Sequence, residues 1–305
     1  MKRLLSLILA SFMLICITAC TEIPSQNDGK LKIVATIFPQ YDFARTIASD
    51  KAQVSMLVPP GVEIHGFEPT TSDILELSTC DIFIYTGAES DKWIDDILKN
   101  INNPHMEVIA LTDCVATLEA EHEEDAHNHS KIDEHVWTSP VNAMKICEVI
   151  CDKMCEKDSN NAQSYRENFN TYKDALASLD TEFRSITEKS QRKTLVFGDR
   201  FPLLYFAKEY GLDYASAFSG CSDDTEASAS TVASLIEKVK TENIPVILKI
   251  ELSSDNIAST IAKETGAEVL TFYSCHNISK ENFEKGETYL SLMQKNVYTL
   301  ELALN

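Results

Sequence analysis

Five positions in this 305-residue chain put metal-coordinating atoms where an α/β protein gathers its ligands. His65 follows the apolar run QVSMLV (53–58), Asp199 follows KTLVFG (193–198), and His276 follows AEVLTFY (267–273). Glu251 ends PVILKIE (245–251), and His135 sits in DEHVWTSP, just before a helix start. Neutral imidazole is a good ligand for zinc and related first-row ions, and one carboxylate completes a tetrahedral shell. A single loop histidine is weak evidence, because exposed or capping histidines are common; the convergence of several carries the argument. Asp199 has a rival explanation, pairing with Arg200 or capping the helix that follows. His105, which precedes a strand, is left out of the site.

A second cluster lies in EAEHEEDAHNHSKIDEH (119–135), where His122, His127 and His129 stand among seven acidic residues. Its composition reads as a solvated charged loop, without order of its own, that takes up divalent cations weakly and passes them on.

The elements that must position these groups form two matching sets. LKIVATIF (31–38), QVSMLV, DIFIYTG (81–87) and EVIAL (107–111) read as strands, with helical patterns between the first three and after 139. KTLVFG, DYASAF (213–218), PVILKIE and AEVLTFY repeat the plan. In open α/β sheets ligands collect beyond the carboxyl ends of strands, so both sets point their loops at one cleft. Ser139 before Pro140 is an N-cap with a first-turn proline, predicting a helix to about Lys157. The stretch from 160 to 191 has no Gly or Pro and places apolar residues at 165, 169, 172, 176, 179, 183 and 186. That spacing, sustained over roughly eight turns, predicts one long connecting helix that favours a preformed cleft. The expected organisation is a signal segment 1–19, a tether 20–30, an N-terminal lobe 31–157, the connecting helix 158–191 and a C-terminal lobe 192–305.

MKRLLSLILASFMLICITAC begins with cations, continues with an apolar core and ends in small residues before Cys20. It reads as a bacterial lipoprotein signal that leaves Cys20 lipid-bearing and the chain outside the cytoplasm, anchored to the cell membrane. The formal net charge of -20 argues against a nucleic-acid partner and suits an acidic surface that attracts cations. Of nine cysteines, Cys16 leaves with the signal; seven remain beyond Cys20, so at least one is unpaired. Cys147, Cys151 and Cys155 share one helix face as small apolar residues, and no CxxC pair suggests a thiolate cluster. Cys221 and Cys275, in loops of one half, are the candidate disulfide.

These pieces resemble the zinc- and manganese-specific solute-binding proteins of ABC transporters, the ZnuA/TroA-like family. The matching stretches are IVATIFPQYDFARTIA, LVPPGVEIHGFEPTTSDILEL, CDIFIYTG, DEHVWTSP, YGL at 210–212, ETGAEVL and GETYLSLMQKN. The resemblance implies two α/β lobes, a rigid helix between them, a metal in the cleft, and delivery to a membrane permease by a monomer without chemical turnover. It implies His65 and His135 as ligands from the first lobe. In the second lobe FGDRFPLLYFAKEYGL lacks the family's histidine, and YSCHNISKENFEKGETY carries His276 where a carboxylate is usual. The expected shell is therefore His65, His135, His276 and Asp199, with Glu251 as the alternative oxygen. Three nitrogens and one oxygen favour zinc over manganese, which prefers oxygen ligands. The competing classes are a cell-surface zinc hydrolase, disfavoured by the lack of HExxH and GxSxG, and an adhesin on the same scaffold.

Overall fold

The structure is a computed structural model that describes residues 29–62, 67–88, 91–120, 132–218 and 227–305. The signal segment, Cys20, His65, the histidines of the acidic loop and Cys221 lie outside the described residues. Leu31–Asn305 forms one compact unit built around two sheets.

The first sheet comprises β1 (Leu31–Ala35), β2 (Ala52–Met56), β3 (Ile82–Tyr85) and β4 (Glu107–Ala110), in the order β2-β1-β3-β4, with every pair parallel. The crossovers carry α1 (Phe38–Ala48), α2 (Thr71–Thr79) and α3 (Lys92–Asn100). Parallel strands covered on both faces need continuous apolar runs; Ile33, Val34, Ala35, Ile82, Phe83 and Ile84 are all fully enclosed. Register is uniform, Ile33 opposite both Val54 and Ile82.

The second sheet repeats the order. β5 (Thr194–Arg200), β6 (Asp213–Phe218), β7 (Val246–Lys249) and β8 (Glu268–Thr271) run β6-β5-β7-β8, again all parallel. Its helices are α6 (Leu204–Tyr210), α7 (Ala229–Glu242), α8 (Asn256–Thr265), α9 (Lys280–Glu284) and the closing α10 (Tyr289–Leu304). Gly198 lets α8 lie against β5: a Cβ there would meet the Ala258 Cα at 2.5 Å. The eight strands of the described residues fall on the eight runs that the sequence marks.

Between the sheets run α4 (Pro140–Lys157) and α5 (Ala162–Lys189). The Ser139 hydroxyl accepts a hydrogen bond from the Asn142 N–H at 3.3 Å, and Pro140 occupies the first turn, as the sequence predicts. α5 is the long connecting helix. Its apolar stripe buries Tyr165, Phe169, Tyr172, Leu176, Leu179 and Phe183, and it packs on α1, α4 and α10, elements of both halves. Cys147 and Cys151 are buried on α4 and Cys155 is half-buried. Cys275 is buried, which holds its thiol pKa well above the ordinary value, and its expected partner Cys221 lies outside the described residues.

Buried polar side chains tie the framework. Gln40 accepts from the Thr36 N–H, the Thr36 hydroxyl and the Ile37 N–H, and donates to the Thr86 hydroxyl at 3.0 Å, joining the carboxyl ends of β1 and β3. Asp42 accepts from the Tyr289 N–H at 2.8 Å and pairs with Arg45 at 2.6 Å, fastening α1 to the start of α10. Such groups persist in a core only because their hydrogen bonds are made.

Candidate metal centre

His135 is presented by a tight turn. The chain leaves β4, and Asp133 is fixed by an N–H bond to the Leu118 carbonyl at 2.9 Å. Tyr205 on α6 then clamps both strands of this entry, accepting from the Leu118 N–H at 2.9 Å and donating to the Asp133 carbonyl at 2.8 Å. A short 3-10 turn, Val136–Thr138, follows, and the Thr138 hydroxyl donates back to the His135 carbonyl. Asp133 Oδ1 accepts from the His135 N–H at 2.9 Å and stands 3.2 Å from the ring Nδ1. With Nδ1–H donating to that carboxylate, the lone pair of Nε2 is left for a metal, the usual way a carboxylate orients a ligating imidazole.

His276 comes from the other sheet. Beyond β8, Asn296 of α10 accepts from the Tyr273 N–H at 2.7 Å and donates to its carbonyl at 2.8 Å, pinning the strand exit. Glu251 then holds the loop, accepting from the Ser274 N–H at 2.7 Å, the Ser274 hydroxyl at 2.8 Å and the His276 N–H at 3.1 Å. These bonds support Cys275 at φ 58°, a left-handed conformation that a side chain adopts only when its surroundings enforce it.

The two loops meet. Trp137 donates from Nε1 to the Ser274 carbonyl at 2.9 Å, and the Tyr289 hydroxyl donates to the Trp137 carbonyl at 2.7 Å. The His135 and His276 rings lie 5.1 Å apart, edge to face, with the Trp137 ring 5.3 Å from His276. A donor atom of Glu134 joins them: ligand atoms of Glu134, His135 and His276 all fall within 4.8 Å of one another. Among the described residues no other set of three His, Cys, Asp or Glu side chains converges in this way.

Electrostatics favour a cation here. Burial pulls the His135 imidazole pKa down, but the Asp133 charge and hydrogen bond, with Glu134 and Glu251, outweigh it and leave the pKa above the ordinary value. Burial also acts to raise the Asp133 carboxyl, yet His135 and its hydrogen bonds hold it below the usual carboxylate range. Glu251 is pushed up by burial, against the bonds from Ser274 and His276.

Of the residues expected from the sequence, His135 and His276 are brought together, while His65 lies outside the described residues. Asp199 is not in the group. Its Oδ1 accepts from the Arg200 N–H at 2.8 Å, and its Oδ2 accepts from the Ile250 N–H at 3.0 Å and from the Ser253 hydroxyl. It ties the end of β5 to the loop after β7. Glu251, the alternative oxygen, is likewise engaged in holding the His276 loop. Glu134 was not among the sequence candidates; the available signal was the acidic pair immediately before His135. His105 is exposed, apart from the site.

A two-sheet α/β scaffold that brings nitrogen and oxygen donors from two halves together beyond the strands has the form of a cation-binding protein. The family is settled by residues 33–303, which match the model of ZnuA, "Zinc-uptake complex component A periplasmic"; the chain belongs to that family. It is 32% identical over 309 residues to the zinc-binding lipoprotein AdcA of Streptococcus pneumoniae, covering 99% of this chain but 61% of that protein. The chain thus spans about three-fifths of that relative's length. It is 32% identical over 316 residues to the high-affinity zinc uptake system protein ZnuA of Bacillus subtilis, covering 98% of this chain and 97% of that one. The crystal structure of the Zn(II)-bound ZnuA-like domain of S. pneumoniae AdcA superposes with a TM-score of 0.77 at 30% identity, covering 90% of this chain and 99% of the domain. The laminin-binding adhesin Lmb of Streptococcus agalactiae, 24% identical, has a TM-score of 0.78 over 90% of this chain and 100% of its own, and shares the fold.

Proposed function

We propose that this protein captures zinc outside the cytoplasm and hands it to the permease of an ABC importer, binding the ion without transforming it. The observation that carries the reading is the meeting of His135 and His276 from opposite sheets, within 4.8 Å and beside a carboxylate. Two imidazoles with an adjacent carboxylate suit zinc, whereas an oxygen-rich shell would suit manganese. The names of the relatives, a zinc-binding lipoprotein and a zinc uptake protein, support the same ion.

His65 is the proposed third nitrogen ligand, from the loop after β2. The acidic segment with His122, His127 and His129 gathers cations at low affinity. Cys20 carries the lipid that holds a monomeric receptor at the membrane, and the described residues include no helix long and apolar enough to cross it. Release follows from the permease binding a form of the receptor with weaker hold on zinc, since a partner shifts an equilibrium only by its difference in affinity for the two states. The organisation into two lobes joined by α5 serves this purpose, because a stiff connector limits motion to small adjustments of the cleft.

The test is metal analysis of protein purified without chelators, followed by competition titration of zinc against manganese. One equivalent of zinc that manganese does not displace supports the reading; preference for manganese, or no bound metal, overturns it.

A further inference from the structure

We propose that Glu134 is the oxygen ligand of the captured ion, coordinating it directly beside His135 and His276; the inference rests on the zinc-capture reading above. Sequence neighbours in extended chain point to opposite sides, so residues 134 and 135 would not normally serve one ion. Here the backbone is pinched. The Val136 N–H donates to the Glu134 carbonyl at 2.8 Å, and His135, between them, has φ -82° and ψ 44°, close to an inverse γ-turn. That turn swings the Glu134 carboxylate and the His135 ring onto the same side, facing His276.

The other carboxylates of the region have different work. Both oxygens of Asp199 are engaged with the Arg200 and Ile250 N–H groups and the Ser253 hydroxyl. Both oxygens of Glu251 hold the Ser274–His276 loop. Recruiting either to the ion would loosen backbone that the fold depends on. Glu134 is 1% exposed, so its carboxylate is held inside the site rather than in bulk water. The arrangement also assigns the three consecutive residues separate tasks: Asp133 orients the ring, and Glu134 and His135 hold the metal.

The test compares Glu134→Gln, which keeps shape and removes charge, with Glu134→Ala and Asp199→Asn in the full chain. Zinc affinity is measured by competition with a chromophoric chelator, the absorption spectrum of the cobalt-substituted protein is recorded, and thermal melting of the metal-free variants reports folding. Both Glu134 variants should weaken zinc by at least roughly 10-fold and change the cobalt ligand-field bands while the metal-free protein melts as wild type does. Asp199→Asn should leave the cobalt spectrum unchanged. A structure of the zinc-loaded wild type should place a Glu134 oxygen about 2.0–2.2 Å from the ion, a readout independent of how the variants fold. The inference is overturned if wild type binds zinc and His135→Ala abolishes binding, yet Glu134→Gln matches wild type in affinity and spectrum. If His135→Ala and His276→Ala both bind zinc as wild type does, the capture site itself is misplaced and both proposals fall.

Discussion

The two sheets have the same strand order and the same all-parallel pairing, yet their carboxyl-end loops use charge differently. In the first half the acidic residues before α4 face the site: Asp133 orients His135, and Glu134 stands among the donor atoms. In the second half two buried carboxylates bond the backbone. Asp199 ties β5 to the loop after β7, and Glu251 holds the loop that carries His276. Repetition of topology therefore places loops at one cleft, but the hydrogen-bond bookkeeping within each loop decides which side chain reaches an ion and which serves the backbone. A carboxylate that accepts several N–H groups is already committed.

The comparison is most directly broken at the histidines. His135→Ala and His276→Ala should each lower zinc affinity by at least about 100-fold, since even groups one shell further out are worth 10–100-fold. An unequal result, with His276→Ala near wild type, would mean that the second half contributes no ligand, and calorimetric or chelator-competition titration decides it.

Glu251→Gln sharpens the claim that the second half's acids position rather than ligate. It should reduce zinc affinity by roughly 10–100-fold through a loosened His276 loop. The cobalt spectrum should keep its wild-type band positions at saturation; altered bands would make Glu251 a ligand.

Asp91, at the carboxyl edge of the first sheet, offers a pH test. Burial, against hydrogen bonds from Thr86, raises its carboxyl to about 6 from the ordinary 3.8. The folded protein therefore holds this proton more tightly than the unfolded chain. Its contribution to stability is complete below about pH 3.8 and is lost as pH rises through about 6. Asp91→Asn should be more stable than wild type at pH 7, by up to about 3 kcal/mol, with the difference gone by pH 4 in denaturant titrations. A constant difference across that range would contradict the assignment.

Asp199→Ala should cost about 1–3 kcal/mol of stability by stranding the Ile250 and Arg200 N–H groups, while zinc affinity of the folded protein stays within about threefold. A large loss of affinity at unchanged stability would return Asp199 to the shell and erase the contrast between the halves.

Strands, helices and their order were legible because each is a local pattern. Continuous β-branched runs mark buried parallel strands, Ser139-Pro140 marks a helix start, and the apolar stripe from Tyr165 to Phe183 marks α5. His135 and His276 were legible as candidates because each follows from a loop's position after a strand. Glu134 was not. Its role depends on the turn at His135, which no residue type in DEHVW announces, since neither glycine nor proline forces it. The bonds of Asp199 were illegible for the related reason that its partners Ile250 and Ser253 lie some fifty positions away in sequence.

By itself, then, the sequence determined the scaffold and the chemical kind of site, because helix and strand periodicities and the ligand preferences of imidazole are properties of short stretches. The tertiary structure decided which carboxylates bond distant backbone and which one stands beside the imidazoles. That depends on which N–H groups from distant segments have already reached them, and only the folded chain brings Ile250 to Asp199, Ser274 to Glu251, and Glu134 to His276.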